Sequence, residues 1–135
     1  MTGIVPTHRA TLSEDISREM VLLQKRYGGK GPTECKTFIH TNLIVVLLSG
    51  GYSPAEQTLF EAGRFVDVRR MRTAFQDTME GQFTDKIEEL TGREVVAFMS
   101  AIHQDPDLAL ETFVLKPDGN SHPAQEAPVE TKAVR

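Results

Sequence analysis

Two short runs of consecutive apolar residues constrain this chain more than anything else in it: residues 43–48 (Leu-Ile-Val-Val-Leu-Leu) and residues 95–99 (Val-Val-Ala-Phe-Met). Neither run approaches the roughly 20 apolar residues a helix needs to cross a bilayer. Neither alternates as a strand with one wet face does. What remains is a strand with apolar side chains on both faces. Residues 43–48 and 95–102 are therefore expected at the centre of a sheet, with both of their faces apolar.

Each run sits in a hairpin. Residues 34–41 read as a strand, with Cys35, Thr37 and Ile39 on one side and Phe38 on the other, and Thr41-Asn42 turns the chain into residues 43–48. Residues 93–102 lead through the turn Gln104-Asp105-Pro106-Asp107 to a returning strand at 108–115. Helices precede both hairpins. Thr11 and Glu14 have capping-box spacing, Ile16, Met20, Leu23 and Tyr27 form one apolar face, and Gly28-Gly29 ends that helix. Ser53-Pro54-Ala55-Glu56 is the sharpest local signal: a serine cap, proline at the first helical position, and a glutamate closing the box. That helix weakens at Gly63, and a longer one follows over residues 66–90, with the stripe Met71, Phe75, Met79, Phe83, Ile87 and Leu90 and the stop Gly92. The pattern predicts an α+β fold, helix–hairpin–helix–hairpin (αββααββ), with a mostly antiparallel four-stranded sheet and the helices on one face. The halves share an offset: Gly29 lies 11 residues before His40, as Gly92 lies 11 before His103. A duplication gives that offset, and so do two unrelated helix–hairpin units.

The ends differ in character. Residues 1–10 form a short polar lead without the apolar core of a signal peptide. Residues 117–135 turn to Pro, Ala, Glu, Ser and Thr, a composition that predicts a disordered tail beyond a single domain at 11–116. The one cysteine, Cys35, allows no internal disulfide and fits a reducing, cytoplasmic setting; no charge pattern marks it as a nucleophile. A net charge of −4 argues against generic nucleic-acid binding and against an anionic lipid surface.

The chemistry-bearing motifs are sparse. Gly28-Gly29-Lys30-Gly31-Pro32-Thr33 has phosphate-loop glycines, but Lys30 is not followed by Ser or Thr, a helix precedes it and a strand follows, so a helix-to-strand turn is the default. Arg69, Arg70 and Arg72, with Arg64 one turn earlier, put cations near a helix N-terminus, where the helix dipole opposes them. Something else must hold them: Asp67, Glu61, a partner chain or an anion. His40 and His103 fall at hairpin tips, and His8 and His122 near the ends, without metal-site spacing. No serine or cysteine lies in a nucleophile motif, and Glu80, Asp85, Glu88 and Glu89 read as a solvated helix face. No catalytic residue, metal ligand or cofactor is assigned. Lys30, Arg69, Arg70 and Arg72 stand as candidates for binding an anion or a partner.

Taken in order, several stretches resemble one family. They are Gly29-Lys30-Gly31-Pro32, Ser53-Pro54-Ala55-Glu56-Gln57-Thr58-Leu59, Val68-Arg69-Arg70-Met71-Arg72 with Ala74-Phe75, Glu89-Leu90-Thr91-Gly92-Arg93-Glu94-Val95-Val96, Pro106-Asp107 and Phe113-Val114-Leu115. Over residues 13–116 this resembles the MpsC family, named for a component of a sodium-translocating, membrane-potential-generating system in bacteria. Tyr52 departs from the family pattern, which is aliphatic there, and should still pack. The resemblance implies a non-enzymatic, soluble accessory or regulatory role beside a membrane ion or inorganic-carbon transporter, which would be the partner. It carries over no catalytic residue. The alternative is a sensor or enzyme for a small anionic ligand, built on Lys30 and the arginine cluster.

Helices on one face would leave the other face of the sheet open and apolar. A homodimer through that face is the expected solution. Helices on both faces would instead leave a monomer.

Overall fold

A computed structural model describes residues 11–117. The lead at 1–10 and all of the expected tail beyond residue 117 lie outside the described residues. The element order is α1 (Leu12–Gly28), β1 (Glu34–His40), β2 (Leu43–Ser49), α2 (Pro54–Glu61), α3 (Phe65–Thr91), β3 (Val95–His103) and β4 (Leu108–Leu115), the αββααββ order expected.

The helix boundaries follow from local chemistry. Thr11 Oγ1 accepts from the Glu14 N–H at 3.1 Å, and the Glu14 carboxylate accepts from the Thr11 N–H at 2.8 Å. Ser53 and Glu56 repeat the exchange at 3.1 and 2.9 Å, with Pro54 opening α2. Each box satisfies two backbone donors that a helix start leaves without partners. Gly29 and Gly92 end α1 and α3 in the left-handed region, at φ of 86° and 70°.

All strand pairs are antiparallel, in the order β1-β2-β4-β3. The order reads the same when the two halves are exchanged. β2 is central as expected. β3 is not: it forms an edge, and β4 holds the second central place. The reason is physical. Apolar side chains on both faces report what covers a strand above and below, not which strands flank it. β3 turns Phe98 and Ile102 towards the helices and Ala97, Met99 and Ala101 away from them. β4, with Glu111 and Thr112 at its middle, looked less like a core strand than it is.

α1 and α3 pack side by side on one face, α1 over β1 and α3 over β3. Between helices and sheet lie Ile16 and Met20 of α1, Met79, Phe83 and Ile87 of α3, Ile44, Val46 and Leu48 of β2, and Phe113 and Leu115 of β4. Each such side chain contributes roughly 1.5–3 kcal/mol relative to exposure. Phe98 bridges Phe83 and Phe113, with ring centroids 6.3 and 5.2 Å away. The expected stripe of α3 shifts at its start: Val68 is buried, whereas Met71 is exposed.

The other face carries no described element. The register aligns its side chains in rows across β1, β2, β4 and β3: Glu34, Ser49, Leu108, His103; then Lys36, Leu47, Leu110, Ala101; then Phe38, Val45, Thr112, Met99; then His40, Leu43, Val114, Ala97.

Candidate functional site

A cavity of about 240 Å³ opens where the C-terminal end of α1 and the first half of α3 meet one end of the sheet. Its walls are mainly apolar, from Tyr27, Leu48, Phe75 and Ile102, and Lys30 stands in its lining. The glycine-rich turns keep this end narrow. A Cβ on Gly28 would come within 3.3 Å of the Phe75 ring, and one on Gly50 within 2.4 Å of Thr33 Oγ1.

Arg72 lines the same cavity and is already engaged. Its Nε donates to Glu56 Oε2 at 3.1 Å and its Nη1 to Asp107 Oδ1 at 2.6 Å. Its guanidinium lies over the Tyr52 ring, 4.2 Å from the centroid, and the Tyr52 hydroxyl donates to the Gln104 carbonyl at 2.7 Å. Tyr52, the departure from the aliphatic pattern, therefore packs as expected and adds a cation–π contact. Only 15% of the Arg72 side chain is exposed, and Glu56 and Asp107 are still more covered. One planar fork thus ties α3 to the start of α2 and to the β3–β4 turn. Burial raises the Asp107 carboxyl above its ordinary value, against the pull of Arg72. Two carboxylates against one guanidinium leave no surplus positive charge here for an incoming anion.

Beneath the cavity, Glu111 is fully buried in central β4. Its carboxylate accepts from Ser100 Oγ at 2.5 Å and from Gln76 Nε2 at 3.0 Å, and Gln76 itself lines the cavity. Burial pushes the Glu111 carboxyl up to about 7, with the bonds from Ser100 and Gln76 opposing the shift. Sequence reading missed this residue. The available signal was parity: Glu111 shares its side of the strand with Phe113 and Leu115, both buried.

The four candidate cations separate. Lys30 and Arg72 share the cavity, whereas Arg69 and Arg70 lie outside its lining, exposed on α3. The acids that could have paired with them are taken: Arg64 pairs with Asp67 at 2.5 Å, and Glu61 accepts from Gln57 at 2.9 Å. Among the described residues, the side chains of Arg69 and Arg70 enter no ion pair or hydrogen bond. Exposed Phe65 and Val66 lie one turn before them, at i−4 on the same helix face.

The other candidates stay apart. His40 and His103 occupy diagonally opposite corners of the sheet, and His103 Nδ1 lies 2.9 Å from the Pro106 carbonyl oxygen. Among the described residues no cluster of His, Cys, Asp and Glu is arranged to hold a metal ion. Burial raises the Cys35 thiol above its ordinary value, with a hydrogen bond to Ser17 opposing, which disfavours the reactive thiolate.

Helices on one face of an antiparallel sheet, with a small cavity at one end, define an α+β fold of the αββααββ order. The chain belongs to the MpsC family, described as Na+-translocating membrane potential-generating system (MpsC), which matches residues 8–117. A Bacillus subtilis (strain 168) protein, named Uncharacterized protein YrhF, is 31% identical over 94 residues, 68% of this chain and 77% of its own length. No solved structure matches the chain. Among the described residues no helix is long and apolar enough to cross a membrane.

Proposed function

We propose that the chain is a non-enzymatic accessory or regulatory component of a Na+-translocating, membrane-potential-generating system, binding a membrane-embedded subunit from the cytoplasmic side. Family membership supplies the system. The observation that carries the docking role is the corner at the start of α3, where Arg69 and Arg70 stand without acidic partners among the described residues, beside exposed Phe65 and Val66. Two cations there oppose the helix dipole and gain nothing from the fold itself. An acidic loop on a partner would neutralise them, and the two apolar side chains would anchor it.

The test is recovery of the tagged full-length chain from its native cell, with its companions identified by mass spectrometry. An integral-membrane subunit of an ion-translocating system is expected in the eluate. The double variant Arg69→Glu/Arg70→Glu should recover about tenfold less of it, because like charges then face each other. Recovery of no such subunit, or equal recovery with the variant, overturns the proposal.

The cavity favours a second reading, a sensor or enzyme for a small anionic ligand, with Lys30 as the lining cation that has no ion-pair partner among the described residues. Calorimetry against nucleotides, phosphorylated metabolites and bicarbonate tests it. Binding lost in Lys30→Ala would support this reading, and silence across the panel would remove it.

A further inference from the structure

We infer that the open face of the sheet is the interface of a two-fold homodimer, two copies stacking sheet on sheet. This surface is opposite the helices, so the inference stands apart from the docking corner on α3.

A sheet face left in water normally alternates with polar residues. Here the three rows from Lys36 to His40 on the face away from the helices are apolar except at Lys36, His40 and Thr112, and the polar residues Glu34, Ser49 and His103 gather with Leu108 in a fourth row at one end. Phe38 and Met99, on the two edge strands, are 56% and 55% exposed, and Val96 is 53% exposed where a bulge turns it outward. The distribution has the anatomy of an interface. Val45, Leu47, Leu110 and Val114 of the central strands form its middle, Phe38 and Met99 flank them, Lys36 and His40 lie on edge strand β1, and Glu34, Ser49 and His103 form a polar end row.

The area suffices. With the polar end row included, four strands about 4.8 Å apart and seven residues at about 3.3 Å each project about 440 Å² per subunit. Two subunits give about 900 Å² before side-chain relief is counted, and relief takes the pair to the scale of about 1,000 Å² at which biological interfaces begin.

Other occupants fit poorly. Residues 118–135 offer only Val, Ala and Pro as apolar side chains, too small and too few to cover the rows. A lipid surface would call for a ring of lysines and arginines around the apolar face, and the rows hold only Lys36, itself 3.7 Å from the Glu34 carboxylate. A second copy presents the same apolar rows, and a two-fold axis satisfies both copies at once. Stacking at about 10 Å also supplies the missing cover for β2, whose apolar run has no alternation.

Sedimentation velocity on the full-length chain, from about 1 to 100 μM, should show a species of twice the 15.0 kDa chain mass. Phe38→Glu/Met99→Glu should raise the dimer Kd about a hundredfold or more, with an unchanged far-UV circular dichroism spectrum. Val66→Glu, on the helix side, should leave the dimer intact. A readout on the unaltered chain guards against misfolding: oxidation of Met99 by dilute peroxide should slow as concentration rises through the Kd. A wild-type monomer at 100 μM, a dimer that survives the double variant, or Met99 oxidation independent of concentration overturns the inference. So does a monomer that co-floats with phosphatidylglycerol vesicles, which would assign the face to a bilayer.

Discussion

Glu111 gives the chain a built-in pH dependence whose sign is unusual for a carboxylate. The carboxyl rises from an ordinary 4.5 to about 7 because burial removes water from it, and the bonds from Ser100 and Gln76 only partly offset that loss. The folded state therefore holds a proton that the unfolded state has released, over the window from pH 4.5 to about 7. Stability contributed by the protonated form is complete below 4.5 and is lost as pH rises through 7, the reverse of a salt-bridged aspartate. At about 1.4 kcal/mol per pH unit the loss is about 3 kcal/mol, a large share of a domain's net stability. Glu111→Gln removes the titration. Its amide oxygen accepts from Gln76 and its NH2 donates to Ser100 Oγ, the pattern of the protonated acid. Urea unfolding of both proteins at one fixed concentration, from pH 4.5 to 8.5, isolates this group, because every other carboxylate is common to the two. The variant should gain about 3 kcal/mol on the wild type across that range, mostly between pH 5 and 7.5. Two stability curves that run parallel in pH would refute the reasoning, since burial would then not be holding the proton.

Two further outcomes rest on the same end of the fold. Arg72→Ala leaves Glu56 and Asp107 close together without their cation and should cost about 3–5 kcal/mol in urea unfolding, whereas Arg72→Lys, with a point charge but no fork, should recover only part of it. An unchanged unfolding midpoint in Arg72→Ala would show that the clamp is not holding α2 and the β3–β4 turn. Gly50→Ala should destabilise by about 2–4 kcal/mol, since φ is +76° and the new Cβ would meet Thr33 Oγ1. Gly81→Ala, mid-helix with open space around it, should instead stabilise by about 0.5–1 kcal/mol, and thermal melts that rank the two the other way would contradict the geometry.

Element order was legible in the sequence because each boundary is written in a few adjacent residues. Thr11 with Glu14, Ser53-Pro54 with Glu56, and the glycines after α1 and α3 act on backbone groups within one turn, so their meaning needs no tertiary context. The double-sided apolarity of residues 43–48 likewise announced a strand with apolar faces above and below. Lateral order was not legible. The register that seats β4 between β2 and β3 depends on how two hairpins dock, and no residue in β3 declares which edge it will present. The site divided in the same way. Lys30 and the arginine cluster stood out as charges, but only the tertiary structure bent Arg72 inward to Glu56 and Asp107 while leaving Arg69 and Arg70, three and two residues away, in solvent. The cause is helical geometry: at about 100° per residue, neighbours in sequence point in different directions, and the packing of α3 on the sheet decides which direction is inward. Glu111 was hidden for the matching reason, since one charge inside a strand reads as a solvated position until the sheet's helix-covered face is known.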